Sequence, residues 1–108
     1  MKVIYSSIIP PKGYKAITIL NCIFVRKGCT MSDVDINHEE IHWEQEKELW
    51  IIGFYLLYVL DFIRLLLRYQ KWHKAYRGIC FEREAYSNED DLQYLSYREK
   101  FAWKKYKL

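Results

Sequence analysis

The sequence predicts an α+β chain, mainly helical, in which an N-terminal β-hairpin precedes a histidine-bearing helix, an antiparallel apolar helix and a glutamate-bearing helix. Three observations predict it. Residues 14–27 are rich in β-branched and aromatic side chains, residues 49–67 form an apolar run with only two charges, and a further helical pattern begins after Gly78.

Each element has its own local reason. "YKAITIL" and "CIFVRKG" read as two strands with Asn21 at a tight turn between them. "GCTMSDVD" then supplies Gly28, Ser32 and Asp33, which is loop and helix-cap chemistry, so the first helix begins between Asp33 and Asn37. From Leu49 the run "LWIIGFYLLYVLDFIRLLL" holds only Asp61 and Arg64 as charges. Its length is marginal for a bilayer core and an interior charge there is costly, so composition leaves a membrane span and a buried helical hairpin level. Asp61, Arg64, Arg68 and Lys71 recur at helical spacing as one polar stripe, which suits a helix buried on three sides. Gly53 is the expected break, turning residues 38–73 into an antiparallel pair. In the last third, Phe81, Ala85, Leu92 and Leu95 approximate one helical face, and Glu82, Ala85 and Glu89 its neighbour.

At 108 residues the chain has room for one modest core, so a single domain over residues 1–108 is expected and a second catalytic domain is not. The net charge of +3 is too slight to argue for nucleic acid. The late cluster Arg98, Lys100, Lys104, Lys105 and Lys107 reads as a solvated terminal face. Cys22, Cys29 and Cys80 cannot all pair within one chain and lack close C-x-x-C spacing, so a reducing, cytoplasmic setting fits best. The start "MKVIYSSIIPPKG" has too short an apolar run for a secretory signal.

"HEEIH" carries the chemistry. His38 and His42 are four apart, so on a helix both imidazoles leave the same face one turn apart and can chelate one ion. Glu39 lies about 100° round the helix, beside such an ion, where it can take a proton from a metal-activated water. Catalytic zinc ordinarily has three protein ligands and one open position. The third must therefore return from further along the chain, and His73 and the glutamates of "FEREAY" are the candidates.

"HEEIH" followed some tens of residues later by "EREAY" resembles the H-E-x-x-H and E-x-x-A pair of gluzincin metallopeptidases. More narrowly, most of residues 14–106 is similar to the single-domain minigluzincins and to a short zincin-like family common in Bacteroidetes. The resemblance implies a minimal zincin-like fold, a Zn²⁺ cofactor, a peptide or protein substrate, and Glu82 as third ligand, with Ala85 allowing close helix packing. Glu84 is the alternative third ligand; it lies about 200° further round, so the two glutamates cannot both face the metal. Tyr86 stands where the family has an acidic residue supporting a ligating histidine, and Glu89 or Asp61 can replace it. Tyr86, His73 and Tyr76 are candidate donors to the oxyanion. The family likeness further implies that substrate lies along an edge strand, here "CIFVRKG".

The resemblance also bears on the membrane. Were residues 49–67 a single span, the histidines and Glu82 would lie on opposite sides and no common site could form. Two readings stay beside the peptidase: a non-catalytic protein that zinc merely stabilises, and a small membrane-associated accessory protein. Peripheral membrane contact stays open, as does the oligomeric state. The aromatic, basic tail "KFAWKKYKL" suggests latency, by lying across the cleft.

Overall fold

Residues 2–10 and 13–108 are described by a computed structural model. Strands β2 (Ala16–Ile19) and β3 (Cys22–Arg26) form the expected hairpin, with Ala16 opposite Val25 and Ile19 opposite Cys22. Leu20 begins its two-residue turn at φ +55°, the left-handed conformation that such turns require. A third strand, β1 (Lys2–Ser6), was not legible in the sequence; it runs parallel to β3, giving the order β1-β3-β2. The strand expected to meet substrate, β3, is therefore central, with both edges taken. The free edge nearer the helices belongs to β2.

Helix α1 (Asp33–Glu48) starts within the expected window because Ser32 and Asp35 cap each other: the Ser32 hydroxyl accepts from Asp35 N at 3.1 Å, and the Asp35 carboxylate accepts from Ser32 N at 3.0 Å. The chain then bends by 110° into α2 (Ile52–Tyr69). The break lies at Leu49–Ile51, ahead of Gly53, which sits inside the first turn of α2. Trp50 and Ile51 take φ +58° and +64°, a costly conformation for a β-branched residue. At that angle the two helices cross steeply and are not the expected antiparallel pair.

The expected burial of α2 on three sides is not met either: Phe54, Asp61 and Leu65 are its buried residues, and much of its apolar surface faces outward. Lys71 leaves the polar stripe, since α2 ends at Tyr69 and Lys71 precedes the short helix α3 (Trp72–Gly78). Among the described residues no single helix is long and apolar enough to cross a membrane. Gly78 eases close approach, because a Cβ there would stand 3.2 Å from Leu65 Cδ1 and 3.3 Å from Leu108 Cδ1, tighter than ordinary contact.

Helix α4 (Cys80–Asn88) buries Phe81 and Ala85, but the expected face stops there. Leu92 is half exposed in the following turns, and α5 (Tyr94–Tyr97) is a separate short helix. Phe54, Leu65, Ala75, Ile79, Phe81 and Trp103 make the main core. Trp103 comes from a C-terminal 3-10 turn, Ala102–Tyr106, whose ring lies 5.0 Å from that of Phe81. The tail thus packs behind α4 and not over a cleft, so its expected role in self-occlusion has no structural ground. The late basic cluster is also divided: Arg98 is enclosed by Glu48 and Glu84, while Lys105 pairs with Glu99. The three cysteines are unpaired.

Candidate metal centre

One face of α1 and the first turn of α4 bring His38, His42 and Glu82 together. His38 Nε2 and His42 Nε2 are 3.2 Å apart, and Glu82 Oε1 lies 3.2 Å from the first and 3.1 Å from the second. Each ring meets an acceptor on its other side: Gln45 Oε1 at 2.8 Å from His42 Nδ1, and Glu89 Oε1 at 3.0 Å from His38 Nδ1. The Gln45 orientation follows from its amide nitrogen, which donates to Phe81 O and to Glu84, both at 3.0 Å. A neutral imidazole donates from one nitrogen only, so these acceptors place both protons on Nδ1 and leave both Nε2 lone pairs aimed at Glu82 Oε1.

Three lone-pair atoms converging in this way need positive charge between them. Their separations match the edge of a tetrahedron around an ion that takes ligands at about 2.0–2.1 Å, the distance for zinc with nitrogen and oxygen donors. The other carboxylate oxygen of Glu82 accepts from the Tyr58 hydroxyl at 2.6 Å, which turns Oε1 toward the histidines. Protons compete for the same lone pairs. Burial pulls the His42 imidazole down, but the Glu82 carboxylate against it prevails and holds it up at about 10. Burial likewise pushes Glu82 up, yet the charge of His42 and bonds from both rings hold it well below the usual carboxylate range.

Glu39 is buried beside this trio, its Oε2 3.8 Å from His38 Nε2 and its Oε1 accepting from Thr18 at 3.0 Å. His38, Glu39 and His42 could also group around an ion by themselves. Glu82 is the better third donor because it is nearer and equidistant from both rings. Burial pushes the Glu39 carboxyl above its ordinary value, against the opposing charges of His42 and His38.

The remaining candidates separate. Glu84 is fully buried but turned to Gln45, Tyr94 and Arg98, so it cannot replace Glu82. Asp61 is also excluded from supporting a ligand: it binds Arg64 and accepts from Cys80 N at 3.0 Å. Glu89 holds the second nitrogen of His38, while the Tyr86 ring packs edge-on against His38 with centroids 4.5 Å apart. Tyr86 and Tyr76 share a hydrogen bond of 3.1 Å. Tyr76 borders the cleft, and burial raises its hydroxyl far above the ordinary range. His73 is exposed on the outer basin and makes no contact with the trio.

Two connected hollows meet at His38, Glu39 and Tyr76. The inner one, about 320 Å³, is walled by apolar and aromatic side chains including Ile17, Phe54, Phe62 and Trp72. The outer one, about 500 Å³, is more polar and includes Lys15, Asp35, His73 and Glu89. Ala16 of β2 borders both, and Ile17 and Thr18 border the inner one.

Sequence reasoning missed Tyr58 and Thr18, which hold Glu82 and Glu39. Tyr58 carried a faint signal, since a phenol in an apolar run usually finds a polar partner once buried. Thr18 carried none. Asn37 and Gln45, neighbours of the motif, both support it: Asn37 donates to Glu89 O at 2.9 Å and Asp91 O at 3.0 Å, pinning the turn that carries Glu89. No family model, no curated protein and no solved structure matches this chain.

Proposed function

We propose that this chain is a zinc-dependent metallopeptidase of minimal gluzincin type, with His38, His42 and Glu82 as metal ligands and Glu39 as general base. The observation that carries this reading is the convergence of two Nε2 atoms and one carboxylate oxygen at 3.1–3.2 Å, beside a second buried carboxylate and at the junction of two hollows. Zinc held there would supply Lewis acidity, polarising the scissile carbonyl and making a bound water more acidic. A site that serves only to tie helices together is ordinarily closed by a fourth protein ligand, whereas this trio opens on a cleft.

The chain's own residues do the rest. Glu39, with one oxygen held by Thr18, keeps the other facing the cleft and accepts a proton from the attacking water. The water oxygen bonds to the carbonyl carbon, the C–N bond breaks, and Glu39 returns the proton to the leaving amine. Raised basicity from burial suits that task. Tyr76, which borders the cleft, is our choice of donor to the carbonyl oxygen as charge develops on it. An extended peptide lies along the free edge of β2, using its main-chain groups, with one side chain in the apolar hollow.

The test is metal analysis and cleavage of a mixed peptide library by wild type, His42→Ala and Glu39→Gln. Zinc should be lost from the first variant and retained by the second, with cleavage abolished in both. Absence of zinc from wild type refolded in zinc-containing buffer overturns the proposal.

A further inference from the structure

Helix α2 presents to the outside what a soluble helix normally hides. Ile52, Leu56, Val59, Leu60, Ile63 and Leu67 are 47–79% exposed. At 100° per residue they occupy one arc of about 100°, running some 22 Å along the helix. Tryptophans stand at both ends of the patch, Trp50 ahead of α2 and Trp72 just after it, and both are exposed. Trp72 is held in place by donating to the Tyr14 hydroxyl at 2.7 Å.

The exposed charges along α2 and α3 have one sign. Between Glu48 and Glu82 the sequence contains Arg64, Arg68, Lys71, Lys74 and Arg77, against Asp61 as the single acidic residue. Asp61 is buried and bound to Arg64. Arg68, Lys71 and Lys74 are exposed and have no carboxylate partner among the described residues. On the same count Arg64 lies about 40° and Arg68 about 80° beyond one edge of the apolar arc. The carboxylates of the outer hollow near Trp72 are engaged elsewhere, Asp35 with Lys15, Glu89 with His38 and Glu39 with Thr18.

We infer that the α2–α3 face docks on the surface of an anionic lipid bilayer, with α2 lying in the plane of the interface. Its apolar arc enters the boundary between headgroups and acyl chains, the tryptophans sit at headgroup level, and Arg68, Lys71 and Lys74 meet lipid phosphates. A second copy of the chain is a poorer occupant. A two-fold dimer through this face would set the patch against itself, and the patch offers no acidic group to receive those cations. Val59 and Trp72 also line the inner hollow, so docking sets the rim of the cleft against the headgroups. The inference stands on the surface alone and does not depend on the peptidase reading.

The test is co-sedimentation of the full chain with vesicles of phosphatidylcholine alone and of phosphatidylcholine and phosphatidylglycerol in equal parts. Binding to the mixed vesicles is expected, with weakening as salt rises. Arg68→Glu/Lys71→Glu/Lys74→Glu should reduce it by on the order of 100-fold or more, since each cation near such a surface contributes about 1 kcal/mol. Leu60→Glu/Leu67→Glu should also abolish binding. All five positions are exposed, and thermal unfolding checks that each variant stays folded. No binding by wild type, equal binding to both vesicle types, or binding unchanged in either variant overturns the inference. So does a concentration-dependent dimer in sedimentation equilibrium that Leu60→Glu/Leu67→Glu dissociates.

Discussion

Gln45 sets the chemistry of His42. Its amide oxygen stands 2.8 Å from His42 Nδ1 while its nitrogen is engaged by Phe81 O and Glu84, so the acceptor end is the one that faces the ring. In its neutral form the histidine is thereby fixed with its proton on Nδ1 and its Nε2 lone pair toward Glu82. Replacing Gln45 with Ala releases that orientation and removes a donor from buried Glu84. Zinc affinity, measured by competition with a chelator, should fall about 10–100-fold. Stability should fall by about 1–3 kcal/mol. Unchanged affinity would show that ring orientation is set elsewhere.

Tyr58 acts in the same way on the carboxylate. Its hydroxyl donates to Glu82 Oε2 at 2.6 Å, and Tyr58→Phe removes one oxygen while keeping the ring that packs on Phe54 and Phe81. Zinc affinity should drop about tenfold, with thermal stability little changed. A variant that binds zinc as wild type does would mean that Glu82 needs no support.

Metal binding should depend on pH with a definite sign. His42 is held up at about 10, so below that pH an entering ion displaces its proton. Affinity should therefore rise with pH, by about tenfold per unit where one proton is released. In chelator-treated protein the His42–Glu82 pair stabilises the fold fully between the ordinary carboxyl value of 4.5 and the ordinary histidine value of 6.5; that contribution disappears as pH rises to about 10 and declines as pH falls below 4.5. Isothermal titration in two buffers of different ionisation enthalpy counts the proton released; a count of zero would contradict the assignment.

Glu46, one helical turn beyond His42, gives a second pH effect. Burial pushes its carboxyl up to about 7 from an ordinary 4.5; Oε1 accepts from Tyr55 and Leu20 N, while Oε2 has no partner among the described residues. Because the folded value is the higher one, its favourable contribution is complete below about 4.5 and is lost as pH rises through about 7. Glu46→Gln should flatten this part of the stability profile and be the more stable form at pH 8, by about 2 kcal/mol. Urea unfolding at several pH values checks it, and parallel profiles for the two proteins would refute it.

Arg98 tests the buried scaffold. It joins Glu48 and Glu84 with little exposure of any of the three, and Glu84 in turn holds Gln45. Arg98→Ala strands two carboxylates and should cost about 3–5 kcal/mol, read by denaturant unfolding. A loss below about 1 kcal/mol would place the pair in solvent.

The sequence by itself determined the parts whose cause is local. The hairpin followed from β-branched runs around Asn21, the start of α1 from Gly28, Ser32 and Asp33, and the shared face of His38 and His42 from a four-residue spacing. The likeness to gluzincins singled out Glu82, a choice that helical spacing alone left open against His73 and Glu84. Tertiary structure decided everything that depends on distant partners. It turned Glu84 into the core and Glu82 toward the histidines, brought Glu89 to His38, removed Asp61 from the site, and supplied Tyr58 and Thr18. It also moved the helix break ahead of Gly53 and left the apolar arc of α2 uncovered. Spacing determines which side chains share a face, whereas packing between elements far apart in the chain determines what that face meets.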